Sequence, residues 1–149
     1  MFAAICNDRQ AFRLKATIKK YKPDLIRYHS ILRHLGRSSL WASKNLSAQK
    51  WMMYHDFGYV HPFPHALTDV HQIKTPLTLK HFIQSANTRN PLKILAVIFK
   101  FFSVKLIKKQ LKKHVDIHLV PSEFMTDIIH KSYKISPEKI KVFSHFVQE

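Results

Sequence analysis

The sequence contains little glycine and little cysteine. Only two glycines, Gly36 and Gly58, occur in 149 residues, so the chain has no glycine-rich loop of the kind that holds phosphates in P-loop and dinucleotide-binding proteins. The single cysteine, Cys6, excludes an internal disulfide and indicates a reducing compartment. No catalytic base is positioned near Cys6, which disfavours nucleophilic catalysis. The apolar run at residues 2–6 is too short for a secretory signal, and we expect none.

Acidic side chains are also few. Nine Asp and Glu stand against 25 Lys and Arg, which gives a formal net charge of +16. This charge predicts attraction to phosphate-rich partners such as anionic lipid, nucleic acid and nucleotides, without choosing among them. Hydrophobic residues make up 46% of the chain and include 11 phenylalanines, which argues against disorder. The length of 149 residues suits one domain with its own core.

Segments with strand and helix character alternate along the chain. Strands are predicted at 25–28, 51–55, 115–120 and 140–143. Helices are predicted at 8–21, at 31–35 with Gly36 as the C-terminal residue, and at 76–86, 91–113 and 123–131. Residues 37–50 are predicted to form a loop that allows one helical turn. Thr75-Pro76 and Asn90-Pro91 each place an N-cap before a proline at the first helical position. This alternation predicts an α/β fold with a parallel, Rossmann-like sheet.

The stretch WMMYHDFGYVHPFP, from Trp51 to Pro64, contains the candidate catalytic residues. Its first five residues lack alternation of apolar and polar side chains, which predicts a strand covered on both faces. The loop after this strand would open at the carboxyl edge of the sheet, where ligands bind in open α/β sheets. His55 and Asp56 are therefore the catalytic candidates. The alternative is that this pair only forms a hydrogen-bonded corner.

Eleven histidines raise the question of a metal site, especially His61, His65 and His71. Pro62 and Pro64 hold the first two of these histidines in an extended conformation, about 12 Å apart. At that distance they cannot share an ion without a turn, so we expect no metal.

Three segments resemble the amino-terminal domain of family 4 glycosyltransferases, which have the two-domain GT-B fold. They are KPDLIRYHS at 22–30, MMYHDFG at 52–58 and DIHLVPSEFMTDIIHKSYKISPEKIKVFSHFV at 116–147. The last segment is the most specific, because strand, Pro-Ser-Glu turn, helix, Ser-Pro-Glu-Lys turn and strand follow in that family's order and spacing. The resemblance covers most of the chain from Lys22 onward.

The resemblance implies retaining transfer of a sugar from a nucleotide-sugar to a saccharide or lipid-linked acceptor, without metal or cofactor, in surface polysaccharide or lipopolysaccharide synthesis. In such enzymes the amino-terminal domain mainly holds the acceptor. His55 matches a histidine at the lip of the cleft, where it would orient the sugar by hydrogen bonding. Ser122 and Glu123 match the turn that faces the cleft, where helix N–H groups favour phosphate or acceptor oxygens. Together with them, His29 and Gly58 are the candidate substrate-binding residues.

The chain also departs from that family at both ends. The family's domain begins with a strand and a glycine-rich loop, whereas this chain opens with the helix that precedes 25–28. It stops at Glu149, before the family's second domain, which holds the nucleotide-sugar. We therefore expect residues 1–149 to be a partial amino-terminal domain, an incomplete half of the GT-B fold that is inactive alone. Its sheet would have an unpaired edge that favours association.

The predicted helix 91–113 lies in a segment without acidic residues, between Asp69 and Asp116. Its phenylalanines and lysines suit a helix at an anionic bilayer surface, and its apolar run is too short to span the bilayer. This would place the protein in the cytoplasm, peripheral on the inner face of the plasma membrane. The alternative is a core helix with a solvated lysine face. The candidate membrane-contact residues are Phe99, Lys100, Phe102, Lys105, Lys108, Lys109, Lys112 and Lys113.

A function of another class stays open, namely a non-catalytic basic module that binds anionic membrane or nucleic acid. It explains the net charge of +16 but neither the ordered strand and helix pattern nor the His-Asp loop. We expect nucleic acid not to be a partner. Strongly salt-dependent binding to any duplex or single strand would favour this alternative.

Overall fold

A computed structural model gives the fold and describes residues 8–29, 31, 36–62 and 77–143. The strands pair in the order β1-β2-β3-β4, and every pair is parallel. The predicted α/β fold with a parallel, Rossmann-like sheet is therefore confirmed. A short 3-10 turn at Phe57–Tyr59 follows β2, and another at Pro137–Lys139 precedes β4. In chain order the helices and strands are α1 (Asp8–Tyr21), β1 (Leu25–His29), α2 (Gly36–Ser43), β2 (Gln49–Met53), α3 (Leu79–Ser85), α4 (Pro91–His114), β3 (Ile117–Val120), α5 (Glu123–Tyr133) and β4 (Ile140–Val142).

The start of α4 follows from its sequence. The Asn90 side chain accepts hydrogen bonds from the N–H groups of Leu92 and Lys93, at 3.0 and 3.3 Å, and Pro91 occupies the first helical position. This confirms the predicted Asn90-Pro91 start. Helix α3 begins three residues later than predicted, because Thr78 is its N-cap and accepts from the His81 N–H. The predicted cap at 75–76 lies outside the described residues.

Helix α2 corrects the prediction for 37–50, because the one helical turn allowed in that loop is a helix of eight residues, Gly36–Ser43. Gly36 is the first residue of this helix, and the predicted helix at 31–35 falls largely on residues 32–35, which lie outside the described part of the chain. The buried side of α2 contains Ser39 and Ser43 beside Leu40, so its apolar periodicity is weak. Ser43 satisfies its hydroxyl within the fold by contacting Tyr28 and the carbonyl of Ser39. Because these buried side chains are polar and have their hydrogen-bond partners inside the fold, the segment lacks the apolar periodicity that would have predicted a helix.

The remaining strand boundaries shift by one or two residues. Strand β2 covers Gln49–Met53 instead of 51–55, because its ladder with β1 already begins where the Gln49 N–H donates to the Asp24 carbonyl at 2.8 Å. Strand β3 begins at Ile117, two residues later than predicted, and β4 ends at Val142.

The main core lies against one face of the sheet. Alternate strand residues, which share a face, belong to one buried cluster together with side chains of α2, α4 and α5. On the sheet they are Tyr28, Met52, Val120 and Ile140, and on the helices they are Leu40, Val104, Ile107, Leu111, Met125, Ile128, Ile129 and Tyr133.

The opposite face of the sheet is only partly covered. Arg27 is exposed and Trp51 is half-buried, whereas Met53 and Leu119 are buried near the carboxyl ends of their strands. The Arg27 guanidinium lies 5.7 Å from the ring centre of Phe143, which follows β4. Strand β2 is thus covered on both faces only at its carboxyl end. The sequence predicted cover on both faces along the whole strand.

His118 is the titratable group most deeply buried in this sheet. It is fully buried on β3, and its Nδ1 is hydrogen-bonded to the Tyr54 hydroxyl at 2.9 Å. Within the described chain its Nε2 is buried without a hydrogen-bond partner. Burial, and to a smaller extent the positive charge of Lys139, lower the pKa of His118 from 6.5 to about 4. The native state therefore requires a neutral imidazole at this position.

Acidification should destabilise the protein through His118. Between pH 6.5 and about 4 this histidine binds a proton in the unfolded chain but not in the native state. The free energy of unfolding therefore falls as the pH falls. The difference in pKa corresponds to roughly 3 kcal/mol across that window. His118→Gln keeps an acceptor for the Tyr54 hydroxyl and should flatten the pH dependence measured by urea unfolding. An unchanged slope would contradict this assignment.

Candidate functional site

The carboxyl ends of the strands bring together residues that are far apart in the sequence. His29 is the last residue of β1, and His55 follows β2 by two residues. Ser122 follows β3 by two residues and begins α5. Because the strands are parallel, these positions share one edge of the sheet. Ligands bind at this edge in open α/β sheets, as the sequence led us to expect for His55.

His29 and His55 form a pair at this edge. The Nδ1 of His29 lies 2.8 Å from the Nε2 of His55, within hydrogen-bond distance. The two rings stack with their centres 5.0 Å apart and their planes 22° from parallel. Both residues are exposed. No sequence pattern predicts this pairing, because it depends on the register of β1 against β2, in which His29 lies beside Met53.

The protonation of this pair determines its chemistry. Partial burial, then the neighbouring His55 and Arg27, lower the pKa of His29 below its ordinary value of 6.5. Neutral rings can share one proton in the bond between them. In that state His29 Nε2 either has a lone pair or carries a hydrogen, depending on which of the two rings donates to the other. This nitrogen can therefore accept from or donate to a hydroxyl group.

Asp56 and Gly58 hold the loop that follows β2. The Asp56 carboxylate accepts from the Gly58 N–H at 2.8 Å and caps the turn Phe57–Tyr59. Gly58 is buried, and its N–H is used inside the loop. The structure thus gives Asp56 a role in positioning the loop beside His55. This geometry resembles the hydrogen-bonded corner that was the alternative in the sequence, although His55 itself takes part in the histidine pair.

Ser122 and Glu123 form the first turn of α5. The Ser122 hydroxyl accepts from the Met125 N–H at 3.3 Å, so its first role is to cap the helix. Glu123 is exposed in the first turn. The positive end of the α5 dipole is directed towards the same edge as the histidine pair.

An aromatic contact joins the two loops at this edge. Phe57, from the turn after β2, meets Phe124 of α5 edge to face, with ring centres 6.3 Å apart. Phe124 is 43% exposed although it is large and apolar. Sequence reasoning missed both residues, because the contact depends on β2 and β3 being neighbours. The Phe57 ring fixes the His55 loop next to the first turn of α5.

The histidines considered for a metal site are not grouped by the described structure. His61 is buried, and His65 and His71 lie outside the described residues. In the part of the chain that the structure describes, no three His, Cys, Asp or Glu side chains are arranged to hold a metal ion.

Helix α4 presents some of its candidate membrane-contact residues to solvent and turns others inward. Phe99 and Phe102 are exposed, as are Lys105, Lys109, Lys112 and Lys113. Lys100 donates to the Pro62 carbonyl, and Lys108 donates to the Ser132 carbonyl beside the Tyr133 ring. These two lysines therefore face the protein, in contrast to the prediction. No helix among the described residues has the length and apolar character needed to cross a membrane.

Replacing His55 should change the titration of His29. In His55→Gln, the pKa of His29 should rise but stay below 6.5, because partial burial and Arg27 still act on it. Imidazole NMR chemical shifts followed against pH measure this change. The His29 pKa should also rise in Arg27→Gln, which serves as a comparison. A His29 pKa that falls or stays constant in His55→Gln would contradict the pairing.

Comparisons with known proteins complete the description of the site. The chain matches no family model, no curated protein and no solved structure.

Proposed function

We propose that this chain is the acceptor-side part of a retaining glycosyltransferase. It would serve transfer of a sugar from a nucleotide-sugar to a saccharide or lipid-linked acceptor in surface polysaccharide or lipopolysaccharide synthesis. The observation that carries the proposal is the His29–His55 pair, with its nitrogens 2.8 Å apart, at the carboxyl edge of a parallel sheet. The motif resemblance around 22–30, 52–58 and 116–147 supplies the reaction class.

The histidine pair binds and orients sugar hydroxyls. His29 Nε2 can accept from or donate to a hydroxyl, and the lowered pKa of His29 keeps that ring neutral at physiological pH. Neither ring acts as a nucleophile. Because a neutral ring carries no positive charge, this nitrogen suits a hydroxyl group better than a simple anion.

The first turn of α5 holds polar oxygens of the substrate. Its N–H groups favour a phosphate or an acceptor oxygen, and the Glu123 carboxylate can accept from a hydroxyl. Phe57 and Phe124 provide an apolar wall, on which the C–H face of a sugar ring can pack. Under this proposal the nucleotide lies mainly on a second domain, and the sheet edge described above holds the acceptor.

Saccharide binding by the complete chain tests this function. Ligand-observed NMR would use chitobiose, maltose, UDP-glucose and GDP-mannose as probes. We expect weak binding of a saccharide, weakened about three- to tenfold in His29→Ala and in His55→Ala through loss of a hydrogen bond. His114→Ala is the control, because His114 ends α4 at the opposite, amino edge of the sheet.

Three outcomes would contradict the proposal. The first is no saccharide binding at all, and the second is saccharide binding that is equal in all three variants. The third is binding of nucleic acid that is lost at about 0.5 M salt and is unchanged in both histidine variants, which would favour the basic module instead.

A further inference from the structure

Helix α4 has two apolar stripes on opposite sides. One stripe packs into the protein, and its members are 8% exposed or less: Val97, Phe101, Val104, Ile107 and Leu111. The other stripe faces solvent, with exposures of 76, 50, 43, 50 and 46%, respectively: Leu92, Leu95, Phe99, Phe102 and Leu106. The first stripe accounts for the attachment of α4 to the domain. The second stripe is called the outer stripe below, and it lies mainly at the surface, although the Phe102 ring also meets the Phe101 ring edge to face at 5.7 Å.

The outer stripe is regular. Its members are separated by three, four, three and four residues, which places them in one row along the helix. From Leu92 to Leu106 the row is about 21 Å long at 1.5 Å per residue. Single exposed apolar residues are ordinary on a protein surface, but an aligned row of two phenylalanines and three leucines is not. Such a row marks a surface that contacts an apolar partner.

Lysines continue the outer stripe and border it. Lys109 and Lys113 occupy the next two positions of the row, three and four residues further on, and Lys105 and Lys112 lie along one side. All four are exposed. Helix α4 contains seven lysines and no acidic residue. The partner of this surface must therefore combine apolar groups with negative charge.

We propose that α4 lies flat on an anionic bilayer, with the outer stripe among the acyl chains and Lys105, Lys109, Lys112 and Lys113 at the lipid phosphates. A lipid surface offers both kinds of group at the depths that an amphipathic helix needs. A second copy of this helix packed in parallel would bring the same lysines against each other. An antiparallel copy would cover the apolar row but would offer the lysines no negative charge, because α4 contains no acidic residue. Nucleic acid would satisfy the lysines and leave the leucines and phenylalanines exposed.

The direction of α4 relates this surface to the edge of the sheet. The helix ends directly before β3 begins, so its carboxyl end lies at the amino edge of the sheet and its amino end at the carboxyl edge. Its apolar half, from Leu92, therefore lies on the side of the histidine pair. This relation bears on a lipid-linked acceptor only if the proposed function holds, whereas binding to vesicles depends on α4 alone.

Vesicle binding of the complete chain tests the charged part of the surface. Equimolar phosphatidylglycerol and phosphatidylcholine vesicles should bind the protein at least about tenfold more tightly than phosphatidylcholine alone, because lysines act on anionic headgroups. A triple variant with Lys109→Gln, Lys112→Gln and Lys113→Gln should bind on the order of 100-fold more weakly, at about fivefold per lysine. Lys15, Lys19 and Lys20→Gln on α1 make the same change in net charge and should have a small effect.

A second pair of variants tests the apolar part. Leu95 and Phe102→Ser should abolish most of the binding that remains at about 0.5 M salt, where surface charges are screened. Phe12 and Tyr21→Ser on α1 are the control, because they are 65 and 69% exposed. Circular dichroism and urea unfolding should show that all variants fold, since the substituted side chains are exposed.

Three results would overturn the proposal. The first is no binding to anionic vesicles by the native chain, and the second is equal losses in the α4 variants and their α1 controls. The third is a different partner. If duplex DNA binds as tightly as the vesicles, and its binding is unchanged by Leu95→Ser and Phe102→Ser, the partner would be nucleic acid. If size-exclusion chromatography shows a dimer that dissociates in the Leu95→Ser and Phe102→Ser variant, the partner would be a second copy of this chain.

Discussion

The parallel pairing of β2 with β3 is the constraint on which the site depends. At its amino end the Lys50 N–H donates to the Asp116 carboxylate and the Asp116 N–H donates to the Lys50 carbonyl, both at 2.8 Å. At its carboxyl end the Tyr54 N–H donates to the Leu119 carbonyl at 2.9 Å. A slip of one residue would turn Met52 and His118 away from the core, so the register is fixed by burial as well as by hydrogen bonds. Because this register holds, the loop with His55 and the first turn of α5 meet at one edge.

Two surfaces of the molecule, the carboxyl edge of the sheet and the outer side of α4, suit ligands of different chemistry. At the sheet edge, the His29–His55 pair and the α5 N-terminus suit hydroxyl and phosphate oxygens. On α4, one apolar stripe stabilises the core while the outer stripe and its lysines remain at the surface. An outer apolar stripe is a liability for solubility unless a partner covers it, and a net charge of +16 opposes self-association. The two surfaces are joined by α4 itself, whose amino end reaches the carboxyl edge.

Local chemistry in the sequence was enough to predict some elements and not others. The Asn90-Pro91 cap and the Ser122 cap lie within short segments, so the starts of α4 and α5 could be predicted, and so could the parallel α/β class. Helix α2 could not, because its buried serines disturb the apolar periodicity. His55 could be placed at the sheet edge, but its partner His29 could not, since strand register is a property of the whole sheet. The inward turn of Lys100 and Lys108 depends on carbonyls distant in the sequence.

Hydrogen exchange with and without a bound saccharide tests most directly whether the carboxyl edge of the sheet is the binding site. With the saccharide that binds most tightly, amides at 56–59 and 123–125 should exchange more slowly, whereas those at 46–50, at the amino edge, should not change. Protection confined to the amino edge or to α4, with 56–59 and 123–125 unaffected, would contradict the account.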